Sequence, residues 1–272
     1  MKIASNVEWQ KWGKDDPFYG VSSCQDREKA GAFPWTVEDF YEYGRRVWAE
    51  VSPHWDRYGC VRNTCVEVGC GAGRLTKQLA TEFQKVYAVD VSLEMLDLAR
   101  RYVTAPHVEF CLTDGSMLPL PDGSVTAAFS TDVFQHFDAP ILADRYFREL
   151  YRVLQPRGTF MLQIPIYLWP MPRQGLFTYA FRTVYGAARL HDRLRASLKR
   201  WAIALGYGQA FLHGIRYDGR WVMRKLAEIG FTDVEIQFFA HSGQGWQPSP
   251  AVCSYFFGMK NPGSSMGKLR VL

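Results

Sequence analysis

Five short apolar runs recur along the first part of the chain: "TCVEVG" at 64–69, "VYAVD" at 86–90, "HVEFCL" at 107–112, "VTAAFS" at 125–130 and "TFMLQI" at 159–164. Each is partly β-branched and bounded by Gly, Asp, Pro or Ser, the pattern of a buried strand closed by a turn. Between them the apolar positions step at helical spacing. Leu75, Leu79 and Phe83 are four apart, Ser92 stands where it would cap "LEMLDLARRY", and Ile141, Leu142, Tyr146, Leu150 and Leu154 mark another stripe. Strands alternating with helices across short connections predict a parallel sheet covered on both faces.

After residue 165 the rhythm breaks. Residues 166–216 are aromatic and basic, and Leu190, Leu194, Leu198, Trp201 and Leu205 predict an amphipathic helix within them. The rhythm resumes with "GRWVMRKLAEI" at 219–229, a helix stopped by Gly230, and with strands near 232–239 and 252–259. Only the turn-rich "AHSGQGWQPSPA" separates those two strands, so an antiparallel pairing is open to them. Upstream, Thr36 followed by Asp39 has the form of a capping box, opening a helix with Phe40, Val47, Trp48 and Val51 on one side. The first 35 residues show no assignable pattern.

A chain of 272 residues that is 47% hydrophobic can bury a full core as one elaborated domain. We divide residues 1–272 into an N-terminal cap (1–50), a core (60–165 and 218–259) and a helical insert on the substrate side (166–216). The N-terminus lacks the apolar stretch of a signal peptide, and no run approaches the roughly 18 apolar residues of a membrane span. The expectation is a cytoplasmic protein, monomer or homodimer, with no membrane insertion and at most peripheral membrane contact. Six cysteines, at 24, 60, 65, 70, 111 and 253, show neither C-x-x-C nor His-Cys ligand spacing, which predicts free thiols and no metal. A net charge of +5 is too small to signal a nucleic-acid partner.

Candidate chemistry concentrates after the first strand. In an open parallel sheet, ligands bind beyond the carboxyl ends of the strands, where the chain order reverses. Gly69, Gly71 and Gly73 let a ligand approach the main chain, and the following helix offers free N–H groups; a bare tight turn is the plainer alternative. The dinucleotide fingerprint would need a third glycine where Arg74 stands, and no Gly-Lys-Ser/Thr follows to make a phosphate loop. Glu67, just before the loop, would repel a pyrophosphate and suits a ligand with a cationic end.

"VEVGCGAGRLT" resembles the first motif of class I S-adenosylmethionine-dependent methyltransferases, of the small-molecule type. The resemblance covers about residues 60–165 and 218–259, and it continues through "VYAVD", "CLTDGSMLP", "AAFSTDVFQHF", "RELYRVLQPRGTFMLQIP" and "LAEIGFTDVE". It implies a Rossmann-like three-layer sandwich, with a mostly parallel seven-stranded sheet whose last strand is antiparallel. S-adenosyl-L-methionine would be the cofactor and S-adenosyl-L-homocysteine the product. The loop with Glu67, Gly69, Cys70, Gly71 and Gly73 would wrap the methionine portion. Asp90 would hold the ribose hydroxyls, with Val91 beside the adenine, and Asp114, with Gly115 and Ser116, the adenine amino group. Ser130 and Val133 would line the methionine and adenosyl ends. Asp90 alone is also an ordinary strand-end cap, and Asp114-Gly115 a common turn.

"WQKWGKDDPFYG" resembles the aromatic lead-in of some small-molecule methyltransferases, whose arm folds over the cofactor. This makes Trp12 and Tyr19 lid residues; a surface arm pinned by packed aromatics is the alternative. His136, past the fourth strand, is the candidate general base, against a purely packing role, and with Tyr19 it forms the candidate catalytic set. Substrate choice in such enzymes usually lies in the cap and inserts, which makes Trp12, Tyr167, His213, Arg216, Tyr217 and His241 candidate acceptor contacts. Aromatic residues flanked by arginines suit a flat or glycosidic small molecule with an anionic handle, methylated on O or N. The basic face of "RLHDRLRASLKR" is equally the solvated side of a helix. A protein lysine or arginine methyltransferase, a catalytically inactive binding protein of the same fold and a nicotinamide oxidoreductase stay open as other readings.

Overall fold

The computed structural model describes residues 3–22, 27, 29–167, 215–240, 252–261 and 270–271. Two helices open the described chain, α1 (Ala4–Asp15) and α2 (Pro17–Val21), in a stretch without an assignable sequence pattern. The longer α3 (Val37–Asp56) begins as its capping signal predicts: Thr36 Oγ1 accepts the Asp39 N–H at 3.1 Å. The Asp39 carboxylate turns to Arg27 at 3.0 Å. Phe40, Val47, Trp48 and Val51 are all buried along one side of this helix.

The alternating part follows in order: β1 (Thr64–Val68), α4 (Thr76–Glu82), β2 (Lys85–Asp90), α5 (Leu93–Tyr102), β3 (Val108–Leu112), β4 (Val125–Ser130), α6 (Pro140–Val153) and β5 (Leu154–Gln163). Ser92 caps α5 by accepting the Met95 N–H. Along α6 the predicted stripe holds at Leu142, Tyr146 and Leu150, all buried, and fails at Ile141. Ile141 is 64% exposed while Ala143 and Phe147 are fully buried, because adjacent residues point about 100° apart on a helix and Leu142 already faces inward.

Beyond β5 the chain forms β6 (Ile166–Tyr167), then β7 (Tyr217–Asp218), α7 (Gly219–Ile229), β8 (Phe231–Ala240), β9 (Val252–Lys260) and the two-residue β10 (Arg270–Val271). The main sheet runs β3-β2-β1-β4-β5-β9-β8-β10. Strands β1 to β5 are parallel, and β9 inserts antiparallel between β5 and β8. This is the Rossmann-like sheet of seven main strands, with β10 added at one edge. A separate ribbon pairs β6 with β7.

Neighbouring residues on each central strand enter opposite cores, as the strand period of two requires. Val66, Ala128, Phe160, Leu162 and Phe256 pack with α6 and α7 on one face. Cys65, Ala127, Phe129, Met161 and Phe257 pack with Trp48, Val51, Leu75 and Leu79 of the α3 and α4 side on the other. The three layers leave the chain order reversing between β1 and β4, at the carboxyl ends of both. Among the described residues no helix is long and apolar enough to cross a membrane.

Candidate functional site

A cavity opens at that reversal point. It is lined from β1 and its loop by Glu67, Gly69, Cys70, Gly71 and Arg74, and from the end of β2 by Asp90 and Val91. Gly115 closes the β3 side, and Thr131, Asp132, Val133 and His136 come from the segment after β4. The arm adds Ile3, Ser5, Asn6, Trp9 and Val21, while Phe137, Leu142 and Tyr146 complete the wall.

The loop geometry explains the glycines. Gly69, Gly71 and Gly73 all have positive φ, at 72°, 51° and 81°, where a side chain is strained. A Cβ on Gly69 would collide with Val133, and one on Gly71 would lie 2.6 Å from Val21. Gly73 serves a different contact: its Cβ would press on Val103 and Ala99, so it lets α5 pack on the loop and does not face the cavity.

Two buried carboxylates organise the floor. Asp90 Oδ2 accepts the Gly71 N–H at 2.7 Å and Oδ1 the Ser92 N–H at 2.9 Å, tying the glycine loop to the start of α5. Burial raises its carboxyl above the usual aspartate range, and those N–H groups oppose the shift. Glu67 Oε2 accepts the Thr76 hydroxyl at 2.5 Å. Burial pushes Glu67 up to about 7, with Thr76 opposing, Asp90 adding and Arg74 opposing. The Cys70 thiol is raised well above its ordinary value by burial, so it stays protonated.

Arg74, singled out in the sequence only as the place of a missing glycine, is 4% exposed at its side chain and bonds Asp132 Oδ2 through Nη2 at 2.9 Å. Its Nε is buried with no hydrogen-bond partner. Asp132 holds a positive φ of 58°, with its N–H donated to Gln163 Oε1 at 2.8 Å. A non-glycine residue held in that region is strain that the surroundings must fix.

The other sequence candidates divide between cavity and scaffold. Asp114 is exposed, and Ser116 holds its carboxyl below the usual range through side-chain and backbone bonds of 2.5 and 2.8 Å. What Asp114 presents toward the arm is its carbonyl, which accepts from Asn6 Nδ2 at 2.7 Å. Ser130 is fully buried, its hydroxyl donated to the Val68 carbonyl at 2.9 Å. Tyr217 is also in the core, donating its hydroxyl to the Phe134 carbonyl at 2.7 Å and stacking on Trp221. Arg216 is exposed and outside the cavity wall. Trp12 and Tyr19 pack on each other at 5.8 Å, away from the cavity wall. The arm residue against His136 is Trp9, edge-on at 4.6 Å. His213, His241 and the stripe from Leu190 to Leu205 lie outside the described residues, as does the side chain of Tyr167.

Residues 66–162 match the methyltransferase domain family. Over 97 residues the chain is 34% identical to a malonyl-[acyl-carrier protein] O-methyltransferase of Serratia marcescens, covering 35% of this chain and 36% of that protein. The chain thus spans about a third of the length of that relative. Among solved structures, the magnesium protoporphyrin IX methyltransferase of Synechocystis, with S-adenosylhomocysteine bound, superposes with a TM-score of 0.59 at 12% identity, over 94% of this chain and 100% of that one. The [4+2]-cyclase SpnF superposes with a TM-score of 0.57 at 15% identity, over 95% and 97%. These two likenesses are of fold.

Proposed function

We propose that this chain, which carries a class I S-adenosylmethionine-dependent methyltransferase domain across residues 66–162, moves a methyl group to an O or N atom of a small-molecule acceptor. S-adenosylmethionine, when bound, supplies a sulfonium methyl already activated for in-line displacement. The observation that carries the reading is the cavity at the carboxyl ends of β1 and β4. There two positive-φ glycines expose the main chain, and Glu67, Asp90 and Asp132 present carboxylates to a ligand with cationic groups.

The residues fit that group. Gly69 and Gly71 leave room beside Val133 and Val21 that a Cβ would fill. Asp90, already ordered by two backbone N–H groups, keeps lone pairs for ribose hydroxyls, since a carboxylate offers about four acceptor sites. The chain's own contribution is alignment, and holding two reactants in register is worth roughly 7–11 kcal/mol of barrier. His136 lies in the cavity wall and is the residue placed to take a proton at an imidazole nitrogen when the acceptor arrives protonated. Trp9, Phe137 and Tyr146 give that wall an aromatic character that supports a flat acceptor. The arginine-rich residues 166–216 support an anionic or glycosidic handle, and we assign them to acceptor choice, with 1–50 as cap and 60–165 with 218–259 as cofactor core.

Calorimetry with S-adenosylmethionine and S-adenosylhomocysteine tests the cofactor, and methyl-labelled cofactor with panels of small molecules and of peptides tests the acceptor. We expect one site per chain, at least tenfold weakened in Asp90→Ala, and label transferred to a small molecule. His136→Ala should lower turnover; turnover spared across pH 6–9 removes it as base. Absence of cofactor binding sinks the whole reading. The likeness to a cyclase keeps binding and transfer separate in this test: tight binding with no transfer to any acceptor points to a fold used without methyl transfer.

A further inference from the structure

We propose that Tyr146 reads the base of the methyl donor, its hydroxyl bonding a ring nitrogen of the adenine. The inference rests on the cofactor reading above and adds to it a residue of α6, away from the glycine loop.

The base end of the cavity is poor in free polar side chains. From the end of β3 its wall is built by Thr113 and Gly115. The Thr113 hydroxyl is already donated to the Met117 carbonyl at 2.6 Å, and its oxygen accepts the Gly115 N–H at 3.2 Å. Asp114 is not part of that wall. Its Oδ1 accepts both the Ser116 N–H and the Ser116 hydroxyl, and its carbonyl takes the Asn6 amide. The acid expected at the adenine amino group is thus folded onto its own turn, a local bond that short polar side chains favour. Val91 and Met95 line the β2 and α5 side, and Leu142 lines the α6 side. Apolar surfaces of this kind accept a flat base without distinguishing one base from another.

Tyr146 is the exception. It follows Leu142 by one turn on the inward side of α6, is 5% exposed and stacks its ring on Phe137 at 5.0 Å. Its hydroxyl bonds none of the described residues, yet it is not sealed away from the surface as Arg74 Nε is, and the surface that Tyr146 lines is the cavity. Burial, and then the carboxylates of Asp90 and Asp114, raise this phenol far above the ordinary tyrosine range, so it keeps its proton and can donate. Those two carboxylates stand at the ends of β2 and β3, which sets the hydroxyl between the acid assigned to the ribose and the loop at the base end.

A buried donor without an acceptor is costly, and buried tyrosine hydroxyls ordinarily find one. Adenine brings ring nitrogens that carry no proton and accept. One of them in this slot satisfies the hydroxyl without breaking any bond of the fold. The ring of Tyr146 remains part of the aromatic wall; its hydroxyl is what tells one flat partner from another.

Calorimetry tests this by comparing S-adenosylhomocysteine with its 1-deaza, 3-deaza and 7-deaza analogues on wild type and Tyr146→Phe. The variant keeps the ring and should melt, without ligand, at the wild-type temperature or above, because the hydroxyl it loses has no partner in the fold. It should bind S-adenosylhomocysteine roughly three- to tenfold more weakly. One deaza analogue should lose a similar factor on wild type and bind both proteins within about twofold of each other. Unchanged affinity of Tyr146→Phe for S-adenosylhomocysteine overturns the assignment. So does a loss in the variant that persists with every deaza analogue, which would put the hydroxyl on the ribose. A variant that fails to fold, or melts several degrees lower without ligand, shows the hydroxyl serving the fold and overturns it as well. Wild type binding neither S-adenosylhomocysteine nor any analogue overturns the cofactor reading and this proposal with it, and only that outcome implicates the former.

Discussion

Glu67 stores free energy that a cationic ligand can release. Its carboxyl is pushed to about 7 by burial, against an ordinary value of 4.5. A raised folded-state value means that the folded protein holds a proton the unfolded chain has given up between those two pH values. Stability without ligand should therefore fall as pH rises from about 4.5 to 7 and level off above, by up to roughly 3 kcal/mol. Denaturant unfolding at pH 5 and pH 8 should show that loss in wild type and a much flatter profile in Glu67→Gln. A cation bound beside Glu67 reverses the preference, so cofactor binding near pH 6 should release a proton. Calorimetry in buffers of different ionisation heat measures it. At this scale the sequence was legible wherever spacing encodes backbone approach: Gly69, Gly71, Glu67 and Asp90 line the cavity. It was not legible where a side chain's partner decides its use. Tyr217 looked like a contact for the acceptor, yet its hydroxyl is committed to Phe134 inside the core, and Arg74 was visible only as a departure from a glycine pattern.

The arm is the element least readable from the chain. Helix α1 has no side-chain cap at Ile3, and Val7 is 57% exposed, so neither of the usual helix signals is present. Its inward face carries Asn6 and Trp9 over the cavity edge and Gly13 against Ser92 and Glu94 at the start of α5, while Trp9 and Trp12 pack on the cluster around Phe40 and Met95. Read at helical spacing, Asn6, Trp9 and Gly13 select Trp9 over Trp12. Asn6 bonds the Asp114 carbonyl, Ser5 N–H the Asp138 carboxylate at 3.0 Å, and Lys14 pairs with Glu94 at 3.1 Å. The Asn6 bond and the Lys14 pair are exposed and worth about 1 kcal/mol or less each, while the Ser5 bond is part-buried. Replacing both Asn6 and Trp9 by Ala should speed release of labelled S-adenosylhomocysteine at least fivefold after rapid dilution while leaving the melting temperature within a few degrees. Unchanged release would show that the arm lies on the cavity without gating it. Helices α3 and α5, by contrast, start where their caps predict, because Thr36 and Ser92 each accept a backbone N–H of the first turn, and Asp218 does the same for α7.

For the molecule as a whole, alternation of strand and helix was enough to foresee the layered sheet, and the lack of a helical pattern between 239 and 252 left open the antiparallel pairing that β8 and β9 adopt. The two-residue pairings β6 with β7 and β10 with β8 were not foreseeable, since two residues carry no periodicity. Strand β6 ends at Tyr167, and across the stretch that follows, the Ile215 N–H bonds the Gln135 carbonyl at 2.6 Å and the Tyr217 N–H bonds the Pro165 carbonyl at 2.9 Å. Both ends of residues 168–214 are thus clamped to the core beside His136, independently of what the intervening chain does. Exchanging that stretch for a ten-residue Gly/Ser linker changes the closure entropy by only about 1 kcal/mol. The excised protein should bind S-adenosylhomocysteine within about threefold of wild type in calorimetry and lose transfer to the natural acceptor. Under the acceptor role proposed for residues 166–216, the clamp makes the sheet a socket and the stretch it brackets a replaceable fitting.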